Sequence, residues 1–377
     1  MKINVIGGGP AGLYSALLLK KQDPEAEIGV YERNRHDDTF GWGVVFSGAT
    51  LANFQSADEK SHKAITAEFR SWDAIRTCIQ GQWIECGGHQ FSAISRRTLL
   101  LILQQRCRDV GVDLRFEAAV TSPAELEDAD LVIAADGVHS GVRGFYGEAL
   151  GAAVEMGASR FSWLGTTLPI DCFTFIFQPT EWGLFQVHAY PFSREQATWI
   201  VECTEETWLA AGLDKATQED TVKVCQQVFA EHLQGHRLLT NRSIWRRFPT
   251  VNCQRWGLNN LVLLGDAAHT AHFSIGSGTK LAMEDAIALA DAVATNTDVP
   301  TAIEAYEQVR RPSADQLQVV AEVSRLWFET CASRFDLPPL EFVYSLMTRS
   351  GQIGLDDLRQ RDSSFVARLE QHRDEAG

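Results

Sequence analysis

An aspartate at the end of an apolar run and glycines ahead of a helix can hold an oxygen-rich ligand, and this chain has both between positions 265 and 285. Leu261 to Leu264 run into Gly265-Asp266, and the loop closing on Gly276-Ser277-Gly278 opens a helix expected from Thr279. The carboxylate suits a ribose or ribityl hydroxyl, while free N–H groups at a helix start suit phosphate or carbonyl oxygens. Near the N-terminus, Gly7, Gly9 and Gly12 stand at the G-x-G-x-x-G spacing after the alternating run Lys2 to Ile6. That spacing serves a tight turn, close approach of a pyrophosphate and close helix–strand contact. Twenty residues beyond Gly12, Glu32 ends a second apolar run, where an acid can hold the adenosine ribose. A third oxygen-rich point, Asp136-Gly137 with Arg143 downstream, follows a strand expected at 130–135. The ligand these groups suit is a nucleotide, a flavin first among the candidates.

These groups need rigid elements behind them. The glycine turn calls for a β-α-β unit with strands at 2–6 and 28–31 and a helix between. A loop-rich insertion is expected up to about residue 75; its Phe40-Gly41-Trp42-Gly43-Val44-Val45-Phe46 reads either as a buried turn or as a loop packed on a cofactor ring. Ser95 is placed to cap a leucine-rich helix running to Cys107. Strands follow at 113–120 and 130–135. Between Arg160 and Cys203 the alternating segments 161–167, 173–177, 184–190 and 198–203 carry dense aromatics, the pattern of an antiparallel sheet with one covered face. A helix is expected over 218–233, a return to the nucleotide half at Leu261, and bracing helices from Leu281 onward, punctuated by Pro300, Pro312 and Pro338-Pro339. The last ten residues are expected to fray. The fold class is therefore α/β (α+β), a Rossmann-like nucleotide-binding domain interleaved with an antiparallel-sheet substrate domain. The segments are 1–75 and 76–158 for the nucleotide, 159–255 for the substrate sheet, 256–298 for the return and 299–377 for the C-terminal helices.

Composition narrows the function classes. With 377 residues and 45% hydrophobic content the chain exceeds one ordinary domain. A net charge of −15, from 34 basic and 49 acidic residues, repels nucleic acid and anionic membrane, so neither is expected as a partner. No basic-then-apolar leader and no apolar run of membrane length appears, which points to the cytoplasm. Eight cysteines form no C-x-x-C pair, and the histidine pairs 232/236 and 269/272 lack an accompanying metal motif. No metal is expected, so an organic cofactor must carry any oxygen or electron chemistry.

The three motifs at 7–32, 136–143 and 265–278 together resemble the group A flavoprotein aromatic hydroxylases, single-component FAD monooxygenases of the para-hydroxybenzoate hydroxylase fold. The resemblance covers nearly the whole chain. It implies FAD contacts at Gly7, Gly9, Pro10, Ala11, Gly12, Glu32 and Arg33. Further contacts are implied at Arg97 of an R-x-x-L helix start, Val120, Asp136, Asp266, Gly276, Gly278 and Thr279. In place of the proline common in the loop after the glycine-aspartate motif stands His272-Phe273-Ser274. That replacement, with Gly41-Trp42-Gly43-Val44-Val45 and Trp199-Ile200-Val201-Glu202-Cys203, is similar to the salicylyl-CoA and anthraniloyl-CoA 5-hydroxylases and the VioD-type tryptophan hydroxylases. Asp37-Asp38-Thr39-Phe40, Gly87-Gly88-His89 and the run from Gly278 to Asp285 tilt it toward the acyl-CoA enzymes.

The activity so implied is reduction of FAD by transient NADH or NADPH, capture of O2 as a C4a-hydroperoxyflavin, and oxygen transfer to an electron-rich aromatic ring. The expected substrate is an aryl-CoA thioester such as salicylyl-CoA. The alternatives are a tryptophan- or indole-derived intermediate, or a flavin-binding protein without oxygenation. A dry aromatic pocket would protect the oxygenating species, with Trp42, Val44, Trp163, Phe185, Tyr190 and Phe273 as candidate walls. His188 reads either as a group orienting a phenol or as a hydrogen-bonded sheet residue. His272 reads either as a proton relay or as a loop-shaping residue. Arg242, Arg246 and Arg247 could receive CoA phosphates or form a solvated face paired with acids. Ring position, oligomeric state (a homodimer included) and the choice of nicotinamide are open.

Overall fold

Valine- and isoleucine-rich runs set the spine of the molecule. The computed structural model describes residues 1–47, 51–122 and 128–376. Lys2–Ile6, Glu27–Glu32, Leu131–Ala134, Asp113–Phe116 and Leu261–Leu263 form a parallel sheet. The short Gly257–Leu258 adds an antiparallel edge, and Lys2–Ile6 sits between Leu131–Ala134 and Glu27–Glu32. The helix Pro10–Gln22 leaves the first strand directly, with proline in the first turn, where no N–H is needed, and Lys20 and Lys21 in the last. Arg96–Asp109 begins at Ser95, whose Oγ accepts from the Thr98 N–H at 3.4 Å. These helices and Gly278–Thr295 bury Leu13, Leu17, Leu99, Leu103, Met283 and Leu289 in one apolar core.

The second body is a seven-stranded sheet in the order Leu238–Leu239, Arg160–Thr166, Ala197–Cys203, Gly183–Pro191, Phe173–Thr180, Ile75–Ile79, Gln82–Cys86. The expected strands at 161–203 are all present. Ile75–Ile79 pairs in parallel with Phe173–Thr180, so residues from the 76–158 segment extend this sheet rather than the nucleotide half. Residues expected to be loop-rich before position 75 hold Gly43–Ser47, two helices and Arg70–Trp72; the two strands flank Phe91–Ser95 in a three-stranded sheet.

Two expectations about the C-terminal part need correction. Pro312 does not punctuate: the helix Val299–Glu329 runs through it. An internal proline costs about 3 kcal/mol, and here the buried Tyr306, Ala314, Val320 and Phe328 and the anchored Arg310 and Arg311 offset it. The C-terminal residues form the helix Ser363–Ala376, pinned by buried Phe365, Val366 and Leu369 and by Arg373 donating to Glu341. Among the described residues no helix is long and apolar enough to cross a membrane.

Candidate active site

The seven-stranded sheet meets the 265–279 loop around a cavity of about 310 Å³, a size suited to a small ligand. Of the candidate wall residues, Trp42, Val44, Trp163, Tyr190 and Phe273 line it. Phe185 does not. It is fully buried with Val187, Ala189 and Trp199 under the opposite face, because alternation along Gly183–Pro191 turns 185, 187 and 189 one way and 186, 188 and 190 the other. Phe161, Phe173 and Phe248, absent from the expected set, complete the aromatic lining; the Phe161 and Phe273 ring centroids lie 4.9 Å apart. The indole Nε1 atoms of Trp42 and Trp163 are buried without an acceptor among the described residues. Each is a donor that an oxygen-bearing ligand can satisfy. The loop carrying Trp42 is held firmly: the Tyr190 hydroxyl donates to the Gly43 carbonyl at 2.9 Å, and the Gly43 N–H donates to Thr198 Oγ1 at 3.0 Å.

At the opposite end the lining turns polar. Asp266, Gly276, Gly278 and Thr279 all face the cavity. The helix Gly278–Thr295 starts there without a side-chain cap, leaving N–H groups for ligand oxygens. Asp266 is exposed toward this space yet enclosed by protein, and desolvation raises its carboxyl above the usual range against the pull of Arg96 and His269. Arg96, not Arg97, reaches the cavity. Arg97 points outward, 58% exposed and 4.0 Å from Asp37. The two arginines are adjacent at one helix start, and one helical step of roughly 100° separates a buried direction from a solvent direction.

The glycine turn lies beside this end. Gly7 has φ +105°, and a Cβ there would fall 2.3 Å from the Ala135 carbonyl oxygen. A Cβ on Gly12 would lie 2.0 Å from the Gly7 oxygen, whereas one on Gly9 would meet nothing within 4 Å. Gly7 and Gly12 are thus required by the fold, and the space at Gly9 is left to a ligand. Pro10 and Ala11 begin the helix behind it. Glu32 accepts from the Gly8 N–H at 2.8 Å and from both nitrogens of Asn34, so it fixes the turn. Arg33 is exposed, and Val120 is half-buried against the nucleotide-side core. Asp136 Oδ2 accepts from the Gly141 and Val142 N–H groups, while its Oδ1 is buried with no partner. Arg143 is a clamp: it donates to the carbonyls of Asp266, Ala267 and Val138 and so ties the 136–143 loop to the 265–267 loop. An open glycine cradle, an unpartnered carboxylate oxygen, an uncapped helix start and the Arg96–Asp266 pair fit a bound dinucleotide.

The histidines differ in role. His272 is not part of the cavity lining; its Nδ1 accepts from the Ser274 N–H at 3.3 Å and lies 2.9 Å from Ser274 Oγ, capping the short turn Phe273–Ile275. Burial, then the nearby His188, holds it well below the ordinary histidine range, which keeps the ring neutral. Of its two readings the geometry carries loop shaping. His188 does line the cavity, with Nε2 2.9 Å from Glu202 Oε2. Of the arginine trio, Arg242 and Arg246 line the mouth, whereas Arg247 pairs with Glu205 away from it. Arg242 pairs with Asp38 at 3.2 Å and stacks over Phe40; Arg246 makes no ion pair with the described residues and lies near His139, whose pKa is lowered first by burial and then by Arg246. Among the described residues no cluster of histidine, cysteine or acidic side chains could hold a metal ion, and all eight cysteines are buried as free thiols.

Comparison with known proteins yields one family model, the FAD binding domain, matching residues 111–321. A salicyloyl-CoA 5-hydroxylase from a Streptomyces species is 42% identical over 98% of this chain and 73% of its own length. A 3-hydroxy-4-methyl-anthranilyl-[aryl-carrier protein] 5-monooxygenase from Streptosporangium sibiricum is 36% identical, over 97% of this chain and 99% of the relative. Among solved structures, 2-methyl-3-hydroxypyridine-5-carboxylic acid oxygenase in its tetrameric form shares the fold with a TM-score of 0.73 at 17% identity, covering 96% of this chain and 97% of that one.

Proposed function

The chain belongs to the FAD-dependent flavoprotein aromatic hydroxylases, and from that premise we propose that it hydroxylates the ring of an aryl-CoA thioester of the salicyloyl type, at ring position 5. Bound FAD, reduced by NADH or NADPH, supplies the activated oxygen. The protein's own residues have three tasks. Segments 1–158 and 256–298, apart from the strands at 75–86, carry the FAD: the glycine turn and Glu32 receive the adenosine half, and Arg96, Asp266 and the start of Gly278–Thr295 receive the ribityl and ring end. The aromatic wall formed by Trp42, Phe161, Trp163, Phe173 and Phe273 holds the substrate ring and excludes water. Segment 159–255 contributes most of that wall.

The observation that supports a phosphate-bearing substrate is Arg246, taken with the relatives' named substrates. It stands at the cavity mouth, without an ion pair among the described residues, in a chain of net charge −15. An unneutralised guanidinium beside the aromatic wall of the pocket suits the phosphates of a pantetheine-linked substrate, and the two relatives are named for aryl groups carried on CoA or on an aryl-carrier protein. The test uses holoenzyme with salicyloyl-CoA, salicylate and an indole carboxylate, following nicotinamide oxidation and the mass of the product. Salicyloyl-CoA is expected to accelerate oxidation and gain one oxygen. Arg246→Glu is expected to raise its KM by about tenfold, equivalent to ~1.4 kcal/mol, with kcat unchanged. Equal turnover of the free acid, or a KM indifferent to Arg246→Glu, refutes the thioester assignment.

A further inference from the structure

Of the two polar sheet side chains that line the cavity, Tyr190 and His188, the first is already committed. Tyr190 and Thr198 hold the backbone of Gly43. His188 is different. Its strand, Gly183–Pro191, pairs antiparallel with Ala197–Cys203, with His188 opposite Ile200 and Gln186 opposite Glu202. The diagonal step brings His188 Nε2 to 2.9 Å from Glu202 Oε2, with both side chains almost wholly buried. Phe175, Phe273 and Phe328 pack around the imidazole with centroids 5.2, 5.3 and 4.5 Å away, so the ring cannot turn freely. No described residue takes a hydrogen bond from or gives one to its Nδ1, although the residue lines the cavity.

Glu202 has its own unmet need. Its second oxygen, Oε1, is buried with no partner among the described residues. A buried carboxylate is costly unless its charge is compensated, and the groups around this pair offer little else. Burial pushes the Cys331 thiol up to about 12 and Cys203 well above its ordinary range, so both stay neutral. His272, facing His188, is held neutral by burial and already accepts from Ser274. Arg349 stacks over Phe328 and Phe175, but its nitrogens are bonded to Ser324 Oγ and to the carbonyls of Leu346 and Ser274. Among the described residues, His188 Nε2 is the polar group placed against the Glu202 side chain.

We propose that His188 takes the proton of a ring hydroxyl on the bound substrate through Nδ1, with Glu202 as the positioning residue that sets its tautomer and balances the resulting charge. The proposal rests on the aromatic-hydroxylase reading and adds to it a preference for phenols. In the step, the substrate O–H bond breaks and its electron pair stays on oxygen, giving a phenolate. The proton bonds to Nδ1, and the imidazolium faces the Glu202 carboxylate. No electrons are transferred, and the proton returns to solvent when the product leaves. A phenolate pushes electron density onto its ortho and para carbons, the positions an electrophilic oxygen attacks.

The experiment uses FAD-loaded, oxidised enzyme without nicotinamide, so that no turnover occurs, and titrates a bound nitrophenol across pH by difference absorbance. The wild type is expected to bind the phenolate at a pH at least one unit below the midpoint in free solution. In His188→Gln and in Glu202→Gln the bound midpoint should move back toward the free value. In turnover of salicyloyl-CoA, kcat should fall by about 10²-fold for His188→Gln, the usual weight of one acid–base group, with KM changed only a few-fold. FAD content and thermal midpoint identify a variant that merely misfolds, and Glu202→Gln, nearly isosteric, provides the second test. A nitrophenol midpoint unshifted in the wild type, or equal in the wild type and His188→Gln, overturns the proposal. Because the titration requires only binding, it decides the role of His188 even if thioester turnover fails.

Discussion

Gly9 and Gly12 allow the needs of the fold to be separated from those of the cofactor. A Cβ on Gly12 would lie 2.0 Å from the Gly7 carbonyl oxygen and 3.1 Å from Val5 Cγ1. The first is a backbone atom in a turn that cannot retreat, so Gly12→Ala should cost near the top of the overpacking range, about 3 kcal/mol. At about 2–4 °C per kcal/mol this lowers the thermal midpoint of the apoprotein by roughly 6–12 °C. Gly9 has φ −78° and ψ −179°, open to any L residue, and a Cβ there meets no heavy atom within 4 Å. Alanine is a poorer helix cap than glycine, but it also restricts the unfolded chain, so the net cost to the apoprotein should stay below about 1 kcal/mol. In the holoenzyme the same methyl group would intrude on the space at Gly9 that the proposed FAD site assigns to the pyrophosphate. An uncompensated clash of ~1–3 kcal/mol corresponds to FAD binding weakened about 5- to 150-fold. Scanning calorimetry of the apoproteins and quenching of flavin fluorescence on titration measure the two effects separately. FAD affinity equal to wild type in Gly9→Ala would refute the reasoning, as would an apoprotein midpoint that falls as far for Gly9→Ala as for Gly12→Ala.

Two further perturbations test other joints of the site. Arg143→Leu deprives the carbonyls of Asp266, Ala267 and Val138 of their donor; at about 1 kcal/mol each the loss is ~3 kcal/mol, visible in thermal unfolding together with reduced FAD retention, and Arg143→Lys should restore only part of it. His89 is held down to about 4, first by burial and then by Arg361. Its folded value lies below the unfolded one, so its stabilisation is complete above about pH 6.5 and is lost as pH falls toward 4. His89→Phe, which keeps a ring against Phe91, should remove on the order of 3 kcal/mol of that acid sensitivity; denaturant titrations at pH 7 and pH 4.5 that diverge equally for both proteins would contradict it.

The nucleotide half was legible because its signals are local. Strand, glycine turn, helix, strand and acid occupy residues 2–32 in one uninterrupted order, and each contact of Gly7 and Gly12 is enforced by backbone a few positions away or by the neighbouring strand. Alternation likewise marked the four strands between 160 and 203. Phe185 shares the parity of Val187 and Ala189 and so packs with them on the face away from the cavity, whatever its aromatic character suggests. The Arg96/Arg97 choice is harder, since both follow the same cap. The discriminating fact is the direction of the helix relative to Asp266, which only the packed structure supplies.

What the sequence does not announce is how the cavity closes, because the closing contacts join segments far apart in the chain. Asn241 Nδ2 donates to the carbonyls of Thr39 and Gly41 at 3.0 Å each, fastening the loop that carries Trp42 across some 200 residues of sequence. Behind Phe273, Ser324 Oγ lies 2.8 Å from Ser274 Oγ, and Arg349 donates to the Ser274 carbonyl at 2.8 Å. Burial brings the Arg349 guanidinium down to about 10, still far above neutral pH, so it stays charged and holds all three partners. The helices expected only to brace two domains therefore set the height of the loop bearing His272 and Phe273, and through Phe273 the packing of His188. Serine at 274 gives that loop a hydroxyl bridging His272 and Ser324. A proline there could offer neither that hydroxyl nor the N–H that His272 Nδ1 accepts. In this chain the His272-Phe273-Ser274 loop is thus coupled to the C-terminal helices.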